Sequence, residues 1–263
     1  MDRLDNHRSL VTGAASGIGQ ATVLRLLEEG AAVVAVDVVA EGLAATVARA
    51  KEIGADKRLT TVQMNIADES SVAEGVRSAV DTLGGLDSLV NAAGILRAAH
   101  THEVTLEQWN QIIGVNLTGT FLVIRAALPA LLANPKSAIV NFSSTSASFA
   151  HPYMAAYAAS KGGIQSMTHT LALEYGKQGL RAVCVAPGGI KSGITDATGG
   201  YLPADTDWSL LAKLSPVLPT TLDASGAPMG DPAAVASVIA MLVSEDGAYI
   251  TGTEIRVDGG AHT

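Results

Sequence analysis

The sequence contains a single cysteine, Cys184, among its 263 residues. One thiol cannot form an intramolecular disulfide, so we expect a fold held together by its core alone. Cys184 lies in the apolar run Ala182–Ala186, which is typical of a small buried hydrophobic residue rather than of a reactive thiol.

Positive charge is also scarce. The chain has 17 lysine and arginine residues against 25 aspartate and glutamate residues, a formal net charge of -8. Such a surface repels phosphate backbones, so nucleic acid is not an expected partner.

Long hydrophobic runs and a secretion signal are not apparent. The apolar stretches fall well short of the ~20 residues that cross a membrane. The segment Asp2–Arg8 is polar and charged, unlike a signal peptide. We therefore expect a soluble, cytoplasmic protein without a membrane span.

A metal site is not expected either. His100 and His102 are close in sequence, but no third ligand follows at a suitable spacing, and two imidazoles alone are only the beginning of a metal site.

Short apolar runs alternate with longer helical patterns along the chain. The runs lack clean alternation, which is typical of strands covered by helices on both faces. We predict one α/β domain over residues 1–263, a Rossmann-type doubly wound fold whose seven-stranded, mostly parallel sheet is flanked by helices. The predicted strands are Ser9–Thr12, Ala32–Asp37, Thr60–Met64, Ser88–Ala92, Ala138–Phe142, Ala182–Ala186 and Glu254–Val257; the predicted helices are Gly17–Glu29, Glu41–Ile53, Ser70–Leu83, Leu106–Leu132, Ala155–Lys177 and Pro232–Leu242.

One segment, residues 188–231, departs from this alternation. It is rich in glycine, proline, threonine and serine. A long irregular stretch inside a compact domain is commonly a substrate lid or binding loop, with a plain surface excursion as the alternative.

A glycine-rich turn, Gly13–Gly19, joins the first strand to the first helix. Glycines let a backbone approach a pyrophosphate, and the helix N-terminus offers it free N–H groups. Asp37 ends the second strand, where a carboxylate accepts hydrogen bonds from ribose hydroxyls and repels a 2′-phosphate. No arginine or lysine adjoins Asp37, and Ser16 stands where an arginine could grip that phosphate. The pattern predicts NAD rather than NADP.

Tyr157 and Lys161 are four residues apart and share a helix face. An ammonium near a phenol favours the phenolate and lowers its pKa. The pair is therefore a candidate acid/base, with the lysine making the tyrosine more acidic.

These motifs, taken in order, resemble the short-chain dehydrogenase/reductase family in its compact single-domain form. Further matches are Asn91–Gly94, Gly114–Leu117, Ser143-Ser144, Pro187–Ile190, Ile250–Gly252 and Val257–Gly260. Two departures are Ala92, where the family has a second asparagine, and Asn65, where it often has an aspartate facing adenine.

The resemblance implies a catalytic set of Asn116, Ser144, Tyr157 and Lys161. Tyr157 would exchange the hydroxyl proton, Lys161 would hold the ribose, Ser144 would orient the reacting oxygen, and Asn116 would hold a water. Ser143 remains a rival for the Ser144 role. The implied cofactor contacts are Gly13, Ser16, Gly17, Ile18, Gly19, Asp37, Asn65, Ile66, Asn91, Gly94, Tyr157, Lys161, Pro187, Ile190 and Ser192.

The expected activity is NAD-dependent interconversion of a secondary alcohol and a ketone. Alternatives are a 3-oxoacyl thioester reductase of the same family and a non-catalytic NAD-sensing protein on the same fold. The resemblance also implies a homotetramer built partly on the helices Leu106–Leu132 and Ala155–Lys177.

Overall fold

The computed structural model describes residues 3–193, 200–218, 221–222 and 228–262. Part of the expected lid, 188–231, lies outside the described residues. The strands are β1 Arg8–Thr12, β2 Ala32–Asp37, β3 Leu59–Gln63, β4 Ser88–Asn91, β5 Ala138–Phe142, β6 Arg181–Pro187, β7 Thr221–Leu222, β8 Pro228–Met229 and β9 Glu254–Val257.

Seven of these strands form one parallel sheet in the order β3-β2-β1-β4-β5-β6-β9, and β7 and β8 form a small antiparallel pair. The predicted fold class is confirmed. Each of the seven predicted strands is present, with bounds that differ by at most one residue at either end.

Helices cover both faces of the sheet. They are α1 Gly17–Glu28, α2 Ala40–Glu52, α3 Glu69–Leu83, α4 Leu106–Ile113, α5 Thr120–Leu132, α6 Ala155–Tyr175, α7 Trp208–Leu211 and α8 Pro232–Val243, with single 3₁₀ turns at Asp56–Arg58, Thr101–Glu103, Thr145–Ala147, Gly176–Gln178, Ala212–Leu214 and Glu245–Gly247.

Polar side chains set several helix starts. Asp68 accepts from the Ser71 N–H and caps α3, while Thr105 and Gln108 form a reciprocal capping box on α4. Asp231 caps α8, whose first residue is Pro232.

The core consists of two apolar clusters, one on each side of the sheet. Val11 and Val140 point to the cluster that includes Leu27 and Ile239 of α1 and α8. Their strand neighbours Leu10 and Ile139 point to the opposite cluster, beneath α3, α5 and α6. Burial on both faces explains why the strands are continuous apolar runs.

The long helix predicted over Leu106–Leu132 is interrupted by a π-helical segment at Gly114–Gly119. The whole stretch has 27 residues and a mean hydropathy of 1.6, enough by length and composition to cross a membrane, so the expectation that apolar stretches are too short was wrong here. In the structure α5 packs against α3 and α4 packs against α6.

Candidate active site

A cavity of about 860 Å³ opens at the carboxyl ends of the parallel strands. It lies where the strand order reverses, between β1 and β4, which is the usual ligand crevice of a doubly wound sheet. Thr12 pairs with Asn91 at this edge, and the Thr12 hydroxyl accepts a hydrogen bond from the Ala93 N–H at 3.1 Å. The two strand ends are thereby fixed against each other.

The glycine-rich turn lines this cavity, and its glycines are sterically required. Gly13 has φ +69°, and a Cβ there would lie 2.6 Å from the Ala93 nitrogen. A Cβ on Gly19 would lie 2.0 Å from the Gly13 oxygen. Ser16 does not cap α1 with its side chain, so the first N–H groups of the helix remain available to an anion.

Asp37 lines the end of the cavity where an adenosine is expected, which we call the adenosine end. One carboxylate oxygen accepts from the Ala15 N–H and the other from the Val39 N–H, each at 3.0 Å. Lys161 is the sole lysine or arginine lining the cavity among the described residues. The adenosine end therefore carries a fixed negative charge without a cationic neighbour on the wall.

Asn65 and Ile66 line the same end. The Asn65 side-chain oxygen accepts from the Ala67 N–H at 3.0 Å. One of its two lone pairs is thus occupied, and the other can accept from an adenine amino group. Ile66 is buried, and a Cβ on Gly119 would lie 2.9 Å from its carbonyl oxygen. The π-helical segment thus packs directly on this wall.

Tyr157 lies in the first turn of α6, at the opposite end of the cavity, with Ser144 beside it. Burial raises the pKa of Tyr157 to about 12, while a hydrogen bond with Ser144 acts in the lowering direction. Desolvation of the phenolate is the larger of these two effects, and the influence of Lys161 on the acidity of Tyr157 stays a prediction.

Lys161 is buried beneath this site. Its Nζ donates to the Phe142 carbonyl at 2.9 Å and lies 5.6 Å from the centroid of the Tyr157 ring. Burial lowers the pKa of Lys161 to about 8. A Cβ on Gly94 would lie 3.6 Å from Nζ, in ordinary van der Waals contact, so Gly94 is a direct neighbour of the ammonium.

Asn116 is fully buried in the π-helical segment. Its amide oxygen accepts from the Ile95 N–H at 2.8 Å, and its amide nitrogen donates to the Ile95 carbonyl and to the Ser160 hydroxyl. Both N–H groups are used inside the protein, so only one oxygen lone pair remains for a water. Asn116 therefore holds the 94–95 segment against α6 and does not line the cavity.

Most of the other predicted cofactor contacts line the cavity, but one does not. Gly94, Pro187, Ile190 and Ser192 line the cavity, and a Cβ on Gly17 would lie 2.9 Å from the Ser192 Cβ. Asn91 does not line it, since its side chain donates to Asn141 at 2.8 Å within the core.

The Ser143 hydroxyl donates to Glu254 at 2.5 Å, which leaves Ser144 as the serine beside Tyr157. Thr145 and His262 also line the cavity, and sequence reasoning did not identify them. His262 is more than a hundred residues away from Tyr157 in the chain and carries no local motif.

A metal-binding cluster is not found among the described residues: no three of their His, Cys, Asp or Glu side chains come together. His100 instead contacts Asp205 at 2.9 Å and packs edge-on against the ring of Tyr153.

Curated relatives match the chain over nearly its whole length. A 3-oxoacyl-[acyl-carrier-protein] reductase, FabG, from Thermotoga maritima is 36% identical over 258 residues, 98% of each chain. The 2,5-dichloro-2,5-cyclohexadiene-1,4-diol dehydrogenase LinX from Sphingobium indicum is 33% identical over 259 residues, 98% of this chain and 97% of that protein.

Solved structures are similarly close. Carveol dehydrogenase from Mycobacterium avium in complex with NAD superposes with a TM-score of 0.88 at 26% identity, covering 99% of both chains. A short-chain dehydrogenase from Burkholderia cenocepacia in complex with NADP has a TM-score of 0.85 at 31% identity, covering 99% of this chain and 100% of that one.

The family model described as "short chain dehydrogenase" matches residues 8–200. Together with the parallel sheet, the glycine turn and the Tyr157–Lys161 pair in one cavity, this match places the chain among oxidoreductases that use nicotinamide cofactors and act on CH–OH groups. The chain belongs to the short-chain dehydrogenase family.

Proposed function

We propose that this protein interconverts a secondary alcohol and a ketone with NAD(H), using Tyr157 as the acid/base. The observation that carries the proposal is that one cavity has the glycine turn and Asp37 at one end and Tyr157 and Ser144 at the other. A dinucleotide extends along such a path, with its pyrophosphate at the N-terminus of α1.

The residues fit NAD better than NADP. The Asp37 carboxylate is held in place by two backbone N–H groups and accepts hydrogen bonds readily from a ribose diol. A 2′-phosphate at the same place would meet a like charge, which is costly in a partly buried site. Solved relatives in this family include complexes with either cofactor, so the choice depends on this chain's own residues.

The bound nicotinamide supplies the hydride acceptor or donor. During oxidation, Tyr157 removes the hydroxyl proton and Ser144 hydrogen-bonds the reacting oxygen. Lys161 is placed to bind the ribose and, while protonated, to favour the phenolate. Asn116 acts indirectly: it positions the Gly94-Ile95 backbone next to Lys161.

The substrate end of the cavity is largely apolar. Its wall includes Met154, Leu202, Trp208, Leu211 and Leu214. Apolar walls with a few convergent polar groups suit a small hydrophobic alcohol. LinX, a dehydrogenase of a cyclic diol, supports a substrate of this size and type.

The test is a panel of secondary alcohols, sterols, polyols and hydroxyacyl thioesters, each offered with NAD⁺ and NADP⁺ and followed by absorbance of the reduced cofactor. Turnover of a secondary alcohol with NAD⁺ preferred supports the proposal. Turnover restricted to NADP⁺ refutes the cofactor assignment.

A second candidate is a 3-oxoacyl thioester reductase, favoured by the 36% identity to the Thermotoga maritima FabG protein. Faster reduction of acetoacetyl thioesters than of any simple ketone would select it. A third, non-catalytic NAD sensing, would show saturable NAD binding with no turnover on the whole panel.

We also propose a cytoplasmic homotetramer with small-molecule partners only, neither nucleic acid nor membrane. Three apolar side chains on the helices α4, α5 and α6 support self-association, because Leu173 is 87% exposed and Phe121 and Trp109 are also solvent-accessible. Light scattering on the intact protein and on Leu173→Glu would test it: the substitution should shift the assembly towards smaller species.

A further inference from the structure

Another polar side chain lines the cavity besides Ser144, Tyr157 and Lys161. His262 lines the cavity although only 9% of its side chain is exposed. Its Nε2 atom is buried and has no hydrogen-bond partner among the described residues. An unpaired buried polar atom destabilises the fold, so such an atom calls for an explanation.

The tautomer of this ring follows from its neighbour. The Nδ1 atom of His262 lies 3.3 Å from an Asp258 carboxylate oxygen. Because a carboxylate only accepts hydrogen bonds, Nδ1 carries a proton, and in the neutral ring Nε2 is then an acceptor. The unpaired Nε2 atom of His262 is therefore a hydrogen-bond acceptor.

The ring packs against two aromatic side chains, one of which is bonded to the residue after Ser144. His262 stacks on His151 at 5.5 Å between centroids and 14° between planes, and its centroid lies 4.4 Å from that of Phe149, whose ring is tilted by 31°. His151 is hydrogen-bonded at 3.1 Å to Thr145, the residue that follows Ser144. Burial and the neighbouring His262 lower the pKa of His151 to about 4, so His151 remains neutral and does not bring charge to this end of the cavity.

We infer that His262 is a specificity-determining residue that binds a second hydroxyl group on the substrate, so that the preferred substrates are diols or hydroxyketones. A hydroxyl fits because it donates to Nε2 of the neutral ring and accepts from Nε2–H of the protonated ring. A carboxylate fits poorly, since Asp258 already lies on the other side of the ring. The inference rests on the proposed alcohol oxidation.

Kinetics on matched substrates test the preference. The probes are cyclohexanol and the 1,2-, 1,3- and 1,4-cyclohexanediols, each with NAD⁺. The best diol should exceed cyclohexanol in kcat/KM, and His262→Phe should reduce the diol-to-cyclohexanol ratio about tenfold, the value of one hydrogen bond. His262→Gln, which presents an amide oxygen near the Nε2 position, should retain much of the ratio.

The matched control is His102→Phe. His102 is exposed and lies outside the cavity, and a phenyl ring preserves its stacking on His100. This variant should leave the ratio unchanged. An unaltered ratio in His262→Phe would overturn the inference.

A binding measurement separates this inference from the proposed function. In ¹⁵N-histidine-labelled Tyr157→Phe protein saturated with NAD⁺, a diol should shift the Nε2 resonance of His262, identified by its loss in His262→Gln, while cyclohexanol should not. If the unmodified protein oxidises no alcohol, the proposed function fails, but the spectrum still shows whether a diol hydroxyl binds Nε2 of His262. The absence of a shift with every diol would refute the inference.

Discussion

The Asp37 carboxylate and the Ala15 backbone are joined by a hydrogen bond of 3.0 Å that ties the end of β2 to the glycine turn. This contact fixes the position of a negative charge relative to the N-terminus of α1. A ribose bound between them meets a carboxylate that cannot move away without losing hydrogen bonds to Ala15 and Val39.

Cofactor preference should therefore depend on the charge of Asp37. Asp37→Asn removes the charge and keeps one oxygen, which can accept from one of the two backbone N–H groups of Ala15 and Val39. The NAD-to-NADP ratio of kcat/KM should fall at least about tenfold, because a like-charge clash is worth several kcal/mol. Asp81→Asn, at an exposed position on α3, is the control. Equal use of both cofactors by the unmodified protein would contradict this assignment.

Turnover should require the phenol of Tyr157. Tyr157→Phe removes the acid/base while preserving the ring, so kcat should fall by at least about 100-fold. NAD affinity, measured by calorimetry, should change little. Tyr175→Phe, at the far end of α6, should keep its activity. A Tyr157→Phe protein that retains most of its rate would exclude the proposed mechanism.

The rate of alcohol oxidation should rise with pH. In the protein alone burial raises the pKa of Tyr157 to about 12. The positive charge of oxidised nicotinamide favours the phenolate, so the kinetic midpoint in the ternary complex should lie well below that value. The pKa of Tyr157 in the free protein is measured by titrating the unmodified protein and Tyr157→Phe and taking the difference. The midpoint in the ternary complex is measured from the pH profile of kcat. A flat profile, with chemistry shown to be rate-limiting by a deuterium isotope effect, would rule out a phenolate base.

The buried ammonium of Lys161 should lower the free energy of unfolding of the protein. Burial lowers its pKa from 10.5 to about 8, which corresponds to a penalty of at most roughly 3 kcal/mol. The penalty is complete below pH 8 and disappears as the pH rises to 10.5, because the folded protein then binds fewer protons than the unfolded chain.

Lys161→Met should thus be more stable than the unmodified protein at pH 7, by about 2 kcal/mol once the lost hydrogen bond to Phe142 is included. The gain should shrink near pH 10, and turnover should be lost. Urea unfolding at the two pH values measures both effects. Equal destabilisation at pH 7 and pH 10 would show that the ammonium carries no burial penalty.

Ligands should protect the segment around Lys213. Lys213 is exposed, whereas Leu211, Leu214 and Ser215 beside it line the cavity. Trypsin should cut after Lys191 or Lys213 in the free protein, and NAD with substrate should slow the cutting, because a bound ligand stabilises the conformation it contacts. Fragment mapping by mass spectrometry follows the sites. Cleavage at a rate independent of saturating ligands would show that this wall does not respond to binding.

The sequence predicted those features that depend on local pattern. Apolar runs located seven strands, and the glycines of the first turn indicated a close backbone approach that the structure shows at Gly13 and Gly19. The interruption of the long helix at Gly114–Gly119 has no such pattern.

The features that could not be predicted from the sequence depend on neighbours that are distant in the chain. The spacing of Tyr157 and Lys161 revealed a nearby charge, but desolvation, the larger influence on the pKa of Tyr157, arises from residues packed around the ring. The pairing of His262 with His151 likewise joins two segments that only the fold brings together.

The π-helical segment has a consequence for the surface of the protein. An α-helix advances 100° per residue, and a wide turn that accommodates an extra residue shifts the phase of everything after it. Trp109 and Phe121 are twelve residues apart and would differ by about 120° in a regular α-helix, but the extra residue removes about 100° of this, so both exposed rings lie on the same side. A protein that binds along this helix therefore meets one continuous apolar stripe across the π-helical segment, in which the buried Asn116 holds Ile95 on the opposite, inner side.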